Sequence, residues 1–447
     1  MKLRLNSHAG PARHQSPCLE GLRLALLIGT LALSVAAGGA DPPLSLDAAQ
    51  RLALARSQQI AAQGFAVSAA RDLSIAAGQR PDPVVRIGID NLPISGSDRF
   101  SLTRDFMTMG RVGIMQELTS AQKLETRAAR FEREAERAVT ESEALAAAIA
   151  RDTAIAWLDR YYAEAMASAI AAIGEQARLE VEAAEGSYRA GRGNQADVFA
   201  ARGALAAFDD RASEARRKIR TATAMLGRWI GDAAMQPIAG EPALDTIRLD
   251  LATLEQKLAH HPQIAVLDKR ADVARAEAKI AEANRKADWT VEVAYQQRGP
   301  SYSNMVSVGI SIPLQWDQPR RQDREVSAKR ALVEQLEAER DEALRVHVAE
   351  TRIMIDEREN GREREQRYRR ELIPLAEERT QAALAAYRGG KSSVSDVLAA
   401  RRSEIDLRIQ ALQLAAETAR LWAQLNFLVP LGAPDPHRGA TVQGATK

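Results

Sequence analysis

A fifteen-residue stretch occurs almost unchanged at two places in this 447-residue chain. Residues 188–202 read YRAGRGNQADVFAAR and residues 387–401 read YRGGKSSVSDVLAAR, and eight of the fifteen positions are identical. Each copy interrupts a long helical pattern. Its fourth residue, Gly191 or Gly390, can supply the left-handed backbone that ends a helix, and an Asp or Ser near its end can cap the next helix. Each copy is therefore predicted to be the turn of a helical hairpin.

The sequence on either side of these turns is also duplicated. A short amphipathic segment begins at residue 44 and again at residue 249. Each is followed by an Ala-rich helical stretch, two short segments of alternating apolar residues, and a long charged helical pattern. We therefore predict a tandem internal repeat of residues 41–248 and 249–429, followed by a C-terminal tail of residues 430–447.

Long antiparallel helical hairpins are predicted over residues 120–230 and 320–428. Aromatic residues make up only 4% of the chain and charged residues 27%, a balance typical of long helices. No proline occurs between Pro93 and Pro237, and Pro374 is expected to kink its helix or to mark a join between two helical pieces. Apolar residues of the second half follow coiled-coil spacings of seven and three: Val326, Val333, Leu336, Ala343, Val346 and Ile353.

Four strand candidates form two pairs, at residues 84–118 and 289–316. In the last strand, apolar residues from Val306 to Trp316 alternate with small or polar ones. One interpretation is a half-buried sheet in a soluble domain. The flanking long charged helices favour the other interpretation, in which the strands cross an outer membrane. Four strands cannot close a barrel, so this second interpretation requires several chains to share one barrel.

The first forty residues have a basic start, the apolar run LALLIGTLALSVAA and then the small residues GGA. This pattern predicts a secretory signal peptide of residues 1–40, with a non-cleaved anchor as the alternative. Cys18 is the only cysteine, so the chain can form neither an internal disulfide nor a thiolate metal site with several cysteines. The nearly balanced charge gives no indication of nucleic-acid binding.

The residue pattern indicates neither an enzyme nor a cofactor. Residues 191–195 read GRGNQ but lack the Gly-Lys-Ser/Thr that completes a phosphate-binding loop. His260 and His261 precede a proline and are interpreted as a helix boundary rather than a metal site. Three methionines that would share one face of a continuous strand are interpreted as packing or loop residues rather than a cuprous-ion site: Met107, Met109 and Met115.

The chain has the order helix, two strands and long hairpin with a Y-R-x-G-x(5)-D-V turn, and this order is repeated behind the predicted signal peptide. From about Leu44 to Leu428, this arrangement resembles the TolC-like outer-membrane efflux channels. Residues 90–118 look like the heavy-metal branch of that family, the CzcC and CusC type. The resemblance implies a mainly α fold with a coiled-coil barrel and four strands per chain. It also implies a homotrimer with a shared barrel in outer-membrane lipid, and a helical tunnel that meets a periplasmic adaptor and an inner-membrane resistance-nodulation-division pump.

The resemblance further implies roles for two residues of the second turn. Asp396 falls where family members place an acidic ring that narrows the pore, and Tyr387 falls on a tyrosine that helps hold the gate shut. This chain departs from the family at Ser392, where an arginine commonly partners the tyrosine, and at Ala399, the second acidic position. Three copies of Asp396 would form a cation-favouring ring and raise the pKa of at least one carboxyl.

Contact with the adaptor is implied for the residues at the tips of the turns: Gly191, Arg192, Asp197, Gly390 and Lys391. The triplet that some family members use for this contact is replaced by residues 190–192. A structural alternative is that Asp197 and Asp396 simply cap helices.

Two functions of different classes follow from the sequence. The first is a passive export duct of the outer membrane, exporting heavy-metal cations. The second is a periplasmic coiled-coil adaptor or structural spacer that never enters a membrane. The four alternating strands and the doubled hairpin favour the first, because an adaptor normally carries one hairpin between soluble β domains.

Overall fold

The computed structural model describes residues 42–247 and 254–428. The predicted signal peptide of residues 1–40, the boundary between the predicted repeats and the tail of residues 430–447 lie outside the described residues. Within the described ranges the chain is mainly α-helical with one four-stranded antiparallel sheet, as the sequence predicts.

Nine α-helices occur in the described residues. In chain order they are α1 Leu46–Arg56, α2 Gln58–Ala77, α3 Ala121–Arg189, α4 Gln195–Ile230, α5 Leu254–Ala259, α6 Pro262–Ala283, α7 Gln322–Arg367, α8 Ile373–Arg388 and α9 Val394–Asn426. None of these helices combines the length and the apolar character that crossing a membrane requires.

The four strands are β1 Val84–Asp90, β2 Met109–Leu118, β3 Trp289–Arg298 and β4 Met305–Ser311, and they pair in this order. The first predicted pair, at residues 84–118, begins with β1 and ends with β2 at the predicted residues. The predicted extent of the last strand, up to Trp316, is wrong beyond Ser311, where β4 ends. Pro313 explains the end, because proline has no N–H to donate to a neighbouring strand.

The two faces of the sheet differ in chemistry. Residues directly opposite each other on antiparallel strands share a face. By the observed register, one face is apolar: Val85, Ile87, Ile89, Val112, Ile114, Val291, Val293, Tyr295, Val306, Val308 and Ile310. The other face carries mainly small and polar residues, together with Val84, Met109, Met115 and Met305. On this face Arg111 lies 3.4 Å from Asp90 and 2.6 Å from Glu292.

The first predicted hairpin corresponds to α3 and α4. Helix α3 runs for 69 residues without a break, a length of roughly 100 Å at about 1.5 Å per residue. Ser120 caps its start by accepting a hydrogen bond from the backbone N–H of Lys123. Helix α4 returns over 36 residues to Ile230 and is capped by Gly231, whose φ is +66°.

The second predicted hairpin consists of three α-helices rather than two. A five-residue π-helix, Tyr368–Leu372, lies between α7 and α8, and Pro374 lies in the first turn of α8. A proline inside a helix removes one backbone hydrogen bond and clashes with the carbonyl four residues earlier, and the wider π-turn accommodates this. The expected join at Pro374 is thus observed.

The largest core forms where α1, the middle of α3, the end of α4 and the end of α9 meet. Trp157 is 1% exposed and donates a hydrogen bond to the carbonyl of Leu44 at 2.9 Å. Trp422 similarly donates to the carbonyl of Thr246 at 2.8 Å. Two further apolar clusters continue along α3, α4 and α9 toward the turns, so α9 packs against the first hairpin along much of its length.

Candidate functional site at the two hairpin turns

The first turn joins α3 to α4 and has the hydrogen bonds of a Schellman motif. Gly191 has a φ of +69°. Its N–H donates to the carbonyl of Tyr188 at 3.0 Å, and the N–H of Arg192 donates to the carbonyl of Ser187 at 2.9 Å. Glycine adopts this left-handed backbone without the Cβ clash of other residues, which explains the glycine at the fourth position.

The second turn joins α8 to α9 with the same geometry. Gly390 also has a φ of +69°. Its N–H donates to the carbonyl of Tyr387 at 2.9 Å, and the N–H of Lys391 donates to the carbonyl of Ala386 at 2.8 Å. Both fifteen-residue stretches therefore form the predicted hairpin turn.

The two turns lie beside each other. Ala184 of α3 and Val198 of α4 form one apolar cluster with Val394 and Leu398 of α9, and Tyr387 of α8 packs against it. This shared cluster places both turns at the same end of the two hairpins. The equivalent tyrosine of the first turn, Tyr188, is 48% exposed.

The cap of α4 differs from the prediction. Asp197 does not cap this helix: Asn194 does, by accepting the backbone N–H of Asp197 at 2.8 Å. Asp197 lies in the first turn of α4, where its negative charge interacts favourably with the positive end of the helix dipole. The sequence contains the signal for this, because a cap is normally found three residues before an acidic residue of the first turn.

Asp396 takes part in a complete capping box at the start of α9. Ser393 Oγ accepts the backbone N–H of Asp396 at 3.3 Å, and Asp396 Oδ2 accepts the N–H of Ser393 at 3.0 Å and its hydroxyl at 2.9 Å. The backbone N–H of Ser393, followed by its hydroxyl, holds the pKa of the Asp396 carboxyl below its usual value. The raised pKa predicted for a ring of three Asp396 carboxyls would come from their mutual repulsion in an assembly of three copies.

The basic residues of the turn tips are open to solvent. Arg192 follows Gly191 and Lys391 follows Gly390, and both side chains are exposed. Asp396 is exposed as well, whereas Asp197 is half-buried. Each turn therefore presents one cation at its tip and one carboxylate in the first turn of the following helix.

His261 is a helix cap, as its position before Pro262 predicts. Its Nδ1 accepts the backbone N–H of Gln263 at 3.3 Å at the start of α6. Its ring packs 4.3 Å from the ring of His347 on α7, measured between centroids, a contact that the sequence did not reveal. Burial, and then the neighbouring His347, lower the pKa of His261 to about 4, so the ring is neutral at neutral pH.

The three methionines do not follow one continuous strand. Met109 and Met115 lie on β2, but Met107 lies before the strand begins. Within residues 42–247 and 254–428, no group of three or more His, Cys, Asp or Glu side chains has an arrangement that could hold a metal ion.

No protein-family model matches the chain. Among curated proteins it is similar to the cobalt-zinc-cadmium resistance protein CzcC of Cupriavidus metallidurans, with 24% identity over 242 residues. The matched part spans 53% of this chain and 57% of that relative, little more than half of its length.

Solved structures of outer-membrane proteins share the fold. The outer-membrane channel OprN has a TM-score of 0.72 at 17% identity, covering 86% of this chain and 90% of that one. CusC has a TM-score of 0.73 at 15% identity, covering 86% and 91%. The outer-membrane protein VceC of Vibrio cholerae has a TM-score of 0.70 at 19% identity, covering 86% and 95%.

The chain therefore has the fold of these outer-membrane channel proteins, as the resemblance to the TolC-like channels predicts. The two proteins that name the predicted branch both occur among the matches, CzcC among the relatives and CusC among the structures.

Proposed function

We propose that this chain is the outer-membrane channel of a tripartite efflux system. Three copies form a passive export duct, which a periplasmic adaptor connects to an inner-membrane resistance-nodulation-division pump. The duct spans the outer membrane with its strands and extends into the periplasm with its helices. The proposal includes no catalytic step.

The observation that carries the proposal is the exposed apolar face of the sheet. Ile87 is 79% exposed, Val308 70% and Val306 69%. A contiguous apolar surface of this kind is unfavourable in water and marks a surface that meets lipid or protein. Alternation of an apolar and a polar face along strands of seven to ten residues is typical of barrels in an outer membrane.

The open edges of the sheet support an assembly of several copies. In the order β1-β2-β3-β4, the outer strands β1 and β4 each have one edge without a strand partner among the described residues. Backbone N–H and C=O groups cannot remain unpaired in lipid, and four strands are too few to close a barrel. We infer that β4 of one copy pairs with β1 of the next, and that the two halves of the chain are a tandem repeat.

The second turn supports a gate at the periplasmic end. Asp396 of three copies narrows the duct as an acidic ring, with Tyr387 holding the turn in place, while Gly191, Arg192, Asp197, Gly390 and Lys391 meet the adaptor. Asp396→Ala should weaken block by multivalent cations applied from the turn side, because the mutation removes the carboxylates that attract them. Unchanged block in this variant would leave Asp396 with its capping role alone.

The substrate that we propose is a heavy-metal cation. One support is the similarity to CzcC, whose name refers to cobalt, zinc and cadmium resistance. The other is the resemblance of residues 90–118 to the heavy-metal branch of the TolC-like channels. Deletion of the gene should sensitise the host to such cations more than to dyes and antibiotics. A deletion strain sensitive to organic compounds alone would contradict this assignment.

The function itself is tested by single-channel recording of the purified protein in a planar lipid bilayer. We expect discrete conducting steps from a stable trimer. A monomer that never inserts would contradict the channel and return the chain to the class of periplasmic adaptors or spacers.

A further inference from the structure

We propose that Arg401 is a positioning residue that holds the second hairpin turn, and with it Asp396, against the first hairpin through a buried ion pair with Glu180. This inference rests on the proposed function, because it concerns the part of the duct that we assign as the gate. Arg401 lies on α9 of the second hairpin and Glu180 on α3 of the first.

The ion pair is almost completely removed from solvent. The side chain of Arg401 is 9% exposed and that of Glu180 is 11% exposed. Arg401 Nε donates to Glu180 Oε1, and Arg401 Nη1 donates to Gln176 Oε1. The other carboxylate oxygen, Glu180 Oε2, is buried and has no hydrogen-bond partner among the described residues. Among the described residues, Arg401 is therefore the one cation that forms an ion pair with Glu180.

The equivalent residue of the first turn behaves differently. Arg202 occupies the same place in the fifteen-residue stretch as Arg401. It pairs with Glu185 within its own hairpin at 2.7 Å, and the two side chains are 59% and 33% exposed. One sequence position thus makes an exposed contact inside the first hairpin and a buried contact between hairpins in the second.

The sequence explains why Arg401 pairs with the first hairpin. The fifteen-residue stretches are 199 positions apart, so Glu180 and Glu185 of α3 correspond to Arg379 and Leu384 of α8. At these two positions α8 has no carboxylate for Arg401. Helix α3 therefore supplies both ion-pair partners, Glu185 for the arginine of the first turn and Glu180 for that of the second.

The ion pair lies directly behind the second turn. Arg401 follows Asp396 by five residues on the same helix, which is roughly 7 Å along its axis. Glu180 precedes Ala184 by one helical turn, and Ala184 belongs to the apolar cluster that Tyr387 contacts. Fixing Arg401 on Glu180 therefore fixes the start of α9 relative to α3.

Two other ion pairs between α9 and the first hairpin are more exposed. Asp406 pairs with Arg211 at 2.6 Å, with 41% and 33% exposure. Arg420 pairs with Asp159 at 2.6 Å, with 46% and 33% exposure. Exposed pairs contribute little because water screens them, whereas loss of one partner of a buried pair leaves an uncompensated charge. The Arg401 pair therefore dominates the electrostatic link between the hairpins.

The test compares Arg401→Gln with Arg202→Gln, the matched change in the first repeat. In Arg401→Gln we expect amide hydrogen exchange in residues 387–401 to accelerate by about tenfold or more, because Glu180 loses its compensating charge. The open fraction in single-channel recordings should rise with it, and the Asp396-dependent cation block should weaken. Arg202→Gln should leave all three quantities at wild-type values. General destabilisation would instead accelerate exchange throughout the chain.

A charge-exchanged variant guards against misfolding. If Arg401→Gln fails to assemble, Glu180→Arg combined with Arg401→Glu should restore slow exchange of the second turn and the closed conductance. Failure of this variant to restore them, or a conducting Arg401→Gln protein with wild-type exchange, open fraction and block, would overturn the positioning role alone. A wild-type protein that never conducts would refute the channel itself, and the gating role with it.

Discussion

Among single residues, each hairpin turn depends on one left-handed glycine and one helix cap. Glycine occupies the fourth position because few other residues adopt its left-handed backbone at low cost. The cap was assigned wrongly at Asp197, because Asp is equally favourable as a cap and in the first turn of a helix. Only the spacing to Asn194 distinguishes these two roles.

The left-handed turn residues are expected to resist substitution. Gly390→Ala should lower the free energy of unfolding by about 1 kcal/mol, because a side chain disfavours a φ of +69°. Gly389→Ala is the matched control, since its φ is −80° and an added Cβ meets only ordinary contacts. Urea unfolding of both variants measures the difference. Equal unfolding midpoints would argue against a requirement for glycine at position 390.

The corrected cap makes a second prediction. Asn194→Ala should destabilise the protein by about 1 kcal/mol, because the N–H of Asp197 loses its acceptor. Asp197→Ala should cost less, since it removes only an interaction with the helix dipole. Thermal unfolding of the two variants decides between them, and a larger loss for Asp197→Ala would reinstate that residue as the cap.

The neutral His261 ring makes stability depend on pH. Because burial lowers its folded pKa to about 4, its contribution is fully present above the unfolded value of about 6.5 and is lost as the pH falls toward 4. His347 and Arg151 oppose protonation of His261. In His261→Asn, which retains a capping side chain, the melting temperature should decline less between pH 7 and pH 4. An identical decline in wild type and variant would contradict this.

At the scale of elements, strand existence was predictable and strand length was not. The alternation of apolar residues located all four strands, because each strand has one apolar and one polar face. The alternation continues past Ser311 in the sequence, but hydrogen bonding to β3 does not. Side-chain pattern thus identified the face, while the missing N–H of Pro313 coincides with the end of the strand.

The close approach of α7 and α9 depends on a glycine. A Cβ built on Gly361 would lie 2.5 Å from Thr418 Oγ1, and that hydroxyl is held by a 2.9 Å hydrogen bond to the carbonyl of Leu414. Gly361→Ala should therefore destabilise the protein by about 1 kcal/mol, because overpacking exceeds the gain in helix propensity.

Gly203→Ala is the control for Gly361→Ala. Gly203 lies inside α4 with open space around its Cα, so alanine there should stabilise the helix by about 1 kcal/mol. Chemical unfolding of the two variants should give shifts of opposite sign. A stabilised Gly361→Ala protein would show that the two helices can separate at no cost.

The break in the second hairpin also belongs to the element scale. Pro374 lies 199 positions after Glu175, the same separation as between the two turns, and Glu175 lies inside the continuous α3. A single proline therefore accounts for the difference between one 69-residue helix and the pieces α7 and α8 joined by a π-turn. The sequence indicated the place of this join, but not that a π-turn would form it.

For the whole molecule, the contacts between the two halves could not be predicted from the sequence pattern. Helical periodicity shows which face of a helix is apolar, but not which helix covers it. The pairing of Arg401 with Glu180 and the pairing of Arg420 with Asp159 both join residues far apart in the chain. These contacts depend on how the second half packs on the first. No local spacing of residues in the sequence indicates that packing.

In the proposed channel the apolar face of the sheet meets lipid, and two neighbouring residues of β4 allow this contact to be measured. With Cys18 replaced, single cysteines at Val308 and at Ser307 would each carry a fluorophore in reconstituted vesicles. We predict that a lipid-borne quencher reaches the label at position 308 and a water-soluble quencher reaches the label at position 307, because the two side chains lie on opposite faces. If the water-soluble quencher alone reached both labels, the apolar face of the sheet would not meet lipid.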